Sequence, residues 1–320
     1  MERSGRDLER ELGFSQIAAA ETVSDGLLLA GLAMIIAGLA FKVSAAPFHM
    51  WTPDVYQGAP TPVTGFMAAA AKAAGFAALL RIFFSAFGTE RLDWQPIVWV
   101  LAVLSMVVGS VLAVVQTDVK RMLAYSSISH AGYVLIGLQA ANDRGIAGSL
   151  FYLLAYTFLI LGSFAVVALV AREGDSRTDL TSFRGLARDR PGLAFAFAVF
   201  LLAQAGAPFT TGFLAKFYVI SAAVEARSYA IAIIAMLAAV VATFFYLRII
   251  VVMYMAQDQT MAGVSPEGEG GGVATAVATR VQIPVAAGIA IGIALAFTIV
   301  AGLLPQPFID FARHATLLRL

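Results

Sequence analysis

The sequence predicts an all-α membrane protein of about eight transmembrane helices, two of them discontinuous and arranged as an inverted repeat. Three observations carry that prediction. The 320 residues are 60% hydrophobic and only 13% charged, with a mean hydropathy of +0.84, whereas a soluble domain carries roughly a quarter charged residues. Apolar runs long enough to cross a hydrocarbon core, about 20 residues each, recur along the chain. These runs are rich in Ala and Leu and too long for the alternating strands of a membrane barrel.

In order, the expected spans lie near 25–46, 61–86, 94–115, 122–140, 146–171, 192–225, 228–255 and 281–304. The first runs into Pro47, Pro53, Pro60 and Pro62, which remove backbone donors and interrupt a helix. The sixth, as a straight helix, would reach roughly 50 Å, well beyond a core of about 30 Å. Gly206, Pro208 and Gly212 near its middle predict a break there. The interrupted segments are the first and sixth spans, with four between them, so they enter from opposite sides, as inverted repeats require. Such repeats place ion sites beside the breaks.

The domain organisation follows: a polar N-terminal tail over 1–24, a transmembrane domain over 25–304 and a C-terminal tail over 305–320. The opening MERSGRDLEREL mixes charges and lacks the apolar core and cleavage site of a secretory signal. The GEGGG run at Gly268–Gly272 lacks the lysine and following helix of a phosphate loop and reads as a flexible connector. Counted with the N-terminal tail, Lys and Arg outside the spans divide evenly between the two sides. Without the tail they favour the side bearing Lys120, Arg121, Arg248, Arg280 and the cluster Arg172, Arg177, Arg184, Arg188 and Arg190, which is therefore expected to be cytoplasmic.

A net charge of +1 without a basic run gives no electrostatic footprint for nucleic acid. With no cysteine and only His49, His130 and His314 as imidazoles, the chain alone builds neither an iron–sulfur cluster nor a thiolate zinc site.

Of the 21 Lys and Arg, the three counted within spans are all lysines: Lys42, Lys72 and Lys216. Arginine stays protonated at any accessible pH, whereas a buried lysine both takes up and releases a proton. Lys72, in AAAAKAAGFAA, falls roughly 16 Å into its span. A charge at that depth costs at least about 2.5–3.5 kcal/mol, which points to function, against the plainer role of an amine tied to carbonyls for packing. Lys42 precedes Pro47 by a few residues and either snorkels to the interface or sits near the midplane of an interrupted helix, where unwound carbonyls stabilise it. Lys216 follows the second break by one turn. His130, in SSISHAG, either relays a proton near neutral pH or hydrogen-bonds a neighbouring helix. His49 and Asp54 in the proline-rich connector, and His314 in the tail, are expected to be solvated or capping.

The segment FKVSAAPFHMWTPDVYQGAPTPV from Phe41 to Val63 resembles the signature of the subunit N family of NADH-quinone oxidoreductase, or respiratory complex I. QTDVKRMLAYSSISHAGY from Gln116 to Tyr133 and GAPFTTGFLAKFYV from Gly206 to Val219 support the resemblance, which covers nearly everything from about residue 25 to 304. It implies an antiporter-like inverted-repeat fold and proton translocation through buried residues. Lys42 would be an input-site base, Lys72 would gate transfer between two half-channels, Lys216 would serve the other half-channel and His130 would act as a relay.

It further implies a non-redox subunit in a multi-pass arrangement in the inner (plasma) membrane of a bacterium. NADH, FMN, iron–sulfur clusters and quinone would be held elsewhere in the complex, and the partners would be other membrane subunits, sister antiporter-like subunits among them. The chain is expected to be N-terminally truncated, lacking the family's first six helices and the glutamate that pairs with the lysine at the Lys42 position. A cation/proton antiporter subunit of the same fold, or a non-conducting scaffold fragment, stand as alternatives.

Overall fold

The computed structural model describes residues 25–171, 173–175, 177–255 and 283–314. The expected N-terminal tail, the GEGGG connector, Arg172, Arg280 and the last six residues lie outside the described residues. Nearly all of what is described is helical.

Helix α1 (Asp25–Val43) is apolar on every face and stops at Ser44. Ser44 adopts a left-handed φ of 64°, and the Ala45 amide returns to the Ala40 carbonyl at 2.8 Å, a closure that satisfies a helix-end carbonyl. The chain restarts as α2 (Trp51–Gly58), whose Pro53 lies in the first turn, where a missing amide costs nothing. Pro60 and Pro62 then open α3 (Thr61–Ser85). This helix widens into a π turn over Met67–Ala71, immediately before Lys72, and π turns of this kind concentrate at functional sites.

Helices α4 (Arg91–Val114), α5 (Val119–Ala140) and α6 (Asp143–Ala171) form the centre. Asp118 caps α5 by accepting from the Arg121 amide at 2.9 Å, and all of α5 except Arg121, Tyr125 and Gln139 is buried. Its polar residues Ser126, Ser127, Ser129 and His130 are buried, as they must be where lipid offers no hydrogen bonds. Gly132 lets α4 and α5 meet closely: a Cβ there would stand 2.7 Å from the Ala102 carbonyl. Small residues are how membrane helices gain packing.

A loop of short helical turns leads to α7 (Pro191–Ala205). This helix closes at Gly206, with φ of 100°, and the Ala207 amide returns to the Leu202 carbonyl at 2.9 Å. Helix α8 (Thr211–Glu225) then starts at its Thr210 cap. Only a glycine fits at Gly212, since a Cβ would lie 1.8 Å from the Ala203 carbonyl. Helices α9 (Tyr229–Met255), α10 (Val285–Leu303) and α11 (Gln306–His314) complete the described chain.

Among the described residues, six helices are long and apolar enough to cross a membrane: α1, α3, α4, α6, α9 and α10. Helix α5 is more polar, and α7 is a shorter apolar helix. Arg81 and Arg248, expected outside the spans, lie inside α3 and α9. Arg248 reaches from α9 to the Val114 and Gln116 carbonyls at the end of α4, at 3.1 and 3.2 Å.

Candidate functional site

Lys72 leaves the π turn with 3% of its surface exposed. Its Nζ donates to the Ser127 carbonyl at 2.8 Å and the Ser127 Oγ at 2.5 Å. Beside Ser127 on α5, Ser126 shares a short hydrogen bond with the hydroxyl of Tyr246 on α9. That hydroxyl also meets His130 Nε2 at 3.1 Å and Gln204 Oε1 at 3.5 Å. His130 Nδ1 in turn meets the Tyr152 hydroxyl of α6 at 2.6 Å. A neutral imidazole donates at one nitrogen and accepts at the other, so the two tyrosines impose opposite roles on its two sides.

Gln204 extends the cluster into the α7–α8 break. Its Nε2 donates to Ser163 Oγ at 2.8 Å. Its own carbonyl and that of Ala205 accept from Lys216 Nζ at 2.8 and 2.9 Å. These are the last carbonyls of α7, where the helix dipole favours a cation. The same ammonium stands 4.9 Å from the centre of the Tyr133 ring, a further stabilising contact. Gly206 leaves room for it, since a Cβ there would come within 3.3 Å of the Lys216 Cδ.

The structure thus gathers Lys72, His130 and Lys216 into one buried polar cluster. Lys42 stands apart: it is exposed, with its stem lying on Gly75 of α3, one turn beyond Lys72 on that helix. Asp54 is exposed and pairs with Arg121 at 2.6 Å. His49, expected to be solvated or capping, is buried by the packing of the α1–α2 break, at 6% exposure. Its Nδ1, Ser44 Oγ and Thr52 Oγ1 there have no hydrogen-bond partner among the described residues. The side chain of His314 lies outside the described residues.

Sequence reasoning passed over Ser126, Ser127, Tyr152, Gln204 and Tyr246, which join the charged members. Their signal is polarity inside apolar runs, weaker than a charge because each pairs readily with a neighbouring helix. It also counted Lys120 outside the membrane and gave no sign of its packing; Lys120 is fully buried in the protein. Its Nζ donates to Asp175 Oδ2 at 3.0 Å. Partial burial pushes the Asp175 carboxyl up, but hydrogen bonds from Thr61 and Lys120 outweigh it and hold the group below the usual carboxylate range.

The family model for the transmembrane region of NADH:quinone oxidoreductase and Mrp antiporters matches residues 7–243. An NADH-quinone oxidoreductase subunit N from Streptomyces griseus is 50% identical over 299 residues, covering 93% of this chain and 51% of the relative. The chain spans about half the length of the curated relatives it matches. Among solved structures, a chain of respiratory complex I from Thermus thermophilus shares 33% identity with a TM-score of 0.73, over 90% of this chain and 60% of that one. A chain of the Mrp complex from Dietzia has a TM-score of 0.80 over 94% of this chain and 61% of that one, at 22% identity, a likeness of fold alone. Six apolar helices, the family match and these neighbours make this a multi-pass membrane protein. With most of its length matched by the family model, the chain belongs to the NADH:quinone oxidoreductase/Mrp antiporter transmembrane family.

Proposed function

We propose that the chain is a proton-translocating membrane subunit of an NADH:quinone oxidoreductase in a bacterial plasma membrane. Under this reading, NADH oxidation and quinone reduction occur in neighbouring subunits, and this chain holds no redox centre. The observation that carries the reading is the buried run from Lys72 to Lys216, in which hydroxyl, imidazole and amide groups fill the interval between two lysines. The translocating domain is residues 25–304, flanked by tails at 1–24 and 305–320. Helices α1 with α2, and α7 with α8, act as two discontinuous crossings, and with α5 the chain crosses the membrane eight times. The α7–α8 break exposes carbonyls that hold Lys216 in the interior.

A proton leaves the Lys72 ammonium towards Ser127, and a bridging water carries it across to Ser126, the neighbouring residue on α5. Tyr246 accepts it as its own hydroxyl proton passes to His130 or towards Gln204, so the hydroxyl ends neutral. His130 receives at Nε2 and releases at Nδ1 towards Tyr152, whose own hydroxyl proton passes on through water towards Lys216 so that the hydroxyl ends neutral, after which the ring must change tautomer to repeat. Lys216 takes the proton when its amine is neutral and then returns to the α7 carbonyls as an ammonium. Lys42, one helical turn from Lys72 across the Gly75 contact, serves the input side. Lysine suits both ends because arginine would never let the proton go.

The test is Lys72→Ala in membranes carrying the assembled complex. NADH-driven proton uptake should be lost while the chain still assembles, and unchanged uptake would sink the reading. Flavin and iron–sulfur subunits should co-purify with the chain; their absence would favour a cation/proton antiporter of the same fold.

A further inference from the structure

A second polar cluster, outside the relay, ties together the ends of two helices that the relay needs. Lys120, in the first turn of α5, is fully buried, and its Nζ donates to the Ala59 carbonyl at 2.7 Å and to Asp175 Oδ2 at 3.0 Å. Asp175 also takes both donors of Thr61, the first residue of α3. The Thr61 amide reaches Oδ2 at 2.8 Å, and the Thr61 hydroxyl reaches Oδ1 at 2.7 Å. One carboxylate therefore holds the start of α3 and the start of α5 together.

The loop bearing that carboxylate is shaped and fastened for the task. Gly174 and Asp175 both take left-handed backbone, at φ of 75° and 51°, a conformation open to glycine and tolerated by aspartate better than by most other residues. Downstream, an antiparallel bridge pairs Asp118 with Asp179. The Val119 amide donates to the Thr178 carbonyl at 2.8 Å, and the Leu180 amide to the Thr117 carbonyl at 2.8 Å. The Thr178 hydroxyl closes the bridge onto the Asp118 carboxylate.

This fastening matters because α3 packs chiefly on α6 and has little direct packing against α5. Direct packing between α3 and α5 therefore contributes little to the height of one beside the other, which α6 sets only at one remove. Polar links set it directly: Asp175 at the helix starts, and Lys72 on Ser127 further in. A buried cation left without its counter-ion is strongly unfavourable, so Lys120 keeps the Asp175 link from opening.

We propose that Asp175 is a positioning residue that fixes the register of α3 against α5 and thereby holds the Lys72 amine on Ser127. The inference rests on the reading of Lys72 and Ser127 as the start of the proton path. It assigns a role to a loop residue outside the buried cluster, acting through Thr61 and Lys120.

The experiment uses membrane vesicles containing the full chain in its complex. Protons taken up per NADH oxidised are measured for the unaltered chain, Asp175→Ala, Asp175→Glu, Thr61→Ala and Lys72→Ala, each normalised to assembled chain. Displacing a reacting group by an ångström costs up to about a hundredfold, so the Asp175→Ala ratio should fall about tenfold or more. Asp175→Glu, which keeps the charge facing Lys120, should recover at least half of the ratio. A normal ratio in Asp175→Ala, or a loss that Asp175→Glu does not repair, overturns the proposal. Should Asp175→Ala fail to assemble, Thr61→Ala decides, because it removes one hydrogen bond and spares the ion pair: a lowered ratio supports the proposal and a normal one overturns it. Loss in Lys72→Ala beside a normal Asp175→Ala sinks the positioning role alone, whereas a normal Lys72→Ala sinks the proton path on which it stands.

Discussion

Tyr246 has one hydroxyl proton and three neighbours able to receive it: Ser126, His130 and Gln204. Removing that oxygen severs the cluster between its two lysines while leaving the ring packed on Phe245, 4.3 Å away between centroids. Tyr246→Phe should therefore assemble, lose about 1–3 kcal/mol from partners left unsatisfied, and lower proton uptake at least about tenfold, as expected for a lost proton-transfer group. Thermal unfolding and NADH-driven uptake in the same preparation check both effects, and normal uptake would place the path elsewhere. The sequence makes the lysines legible because an ion at membrane depth is costly enough to need a reason. Tyrosine gives no such signal, since its ring belongs in a core whether or not its hydroxyl works. The spacing of His130 with Tyr133, and of Tyr152 with Tyr156, places each pair on one helix face. What brings α9 and Tyr246 to that face is tertiary packing, which no local spacing encodes.

The junction of α4 with α5 carries the backbone that presents Ser127 and His130. A Cβ at Gly132 would stand 2.7 Å from the Ala102 carbonyl and 2.8 Å from the Met106 amide nitrogen, both fixed backbone atoms, whereas a Cβ at Gly38 would meet nothing within 4 Å. Gly132→Ala should then destabilise the chain by about 1–3 kcal/mol through overpacking. Gly38→Ala should be neutral or slightly stabilising through helix propensity. Unfolding temperatures in detergent compare the two, and equal values would mean that the close approach does not support the fold. The ends of α1 and α7 are readable from Pro47, Gly206 and Pro208, because proline and glycine act on their own backbone. The fastening of the Arg-rich loop is not: Asp175 to Thr61 and Asp179 to Asp118 are long-range pairs, and composition reports only that a loop lies there. The burial of Lys120 is illegible for the same reason, its counter-ion being distant in sequence.

Burial is distributed unevenly across the bundle, and this separates what holds the fold from what faces its surroundings. Only 22% of the apolar window of α1 is buried, against 61% for α6. Leu27, Met34, Phe41 and Lys42 look outward from α1. Hydropathy alone does not give the order of enclosure, since α5 is among the least apolar of the long helices and the most enclosed. A polar residue in a span must turn towards protein, and an apolar one has no preference between lipid and protein. Local opening should follow enclosure, because segments with fewer buried contacts open at lower free energy. Hydrogen–deuterium exchange on the detergent-solubilised chain should accordingly find the α1 amides exchanging at least about tenfold faster than those of α5, equivalent to about 1.4 kcal/mol of opening free energy. The comparison is made between helices that share one micelle, so detergent shielding of the apolar face biases the result against the prediction. Equal protection of α1 and α5 would mean that the apolar exterior, rather than the polar centre around His130, sets the stability of this bundle.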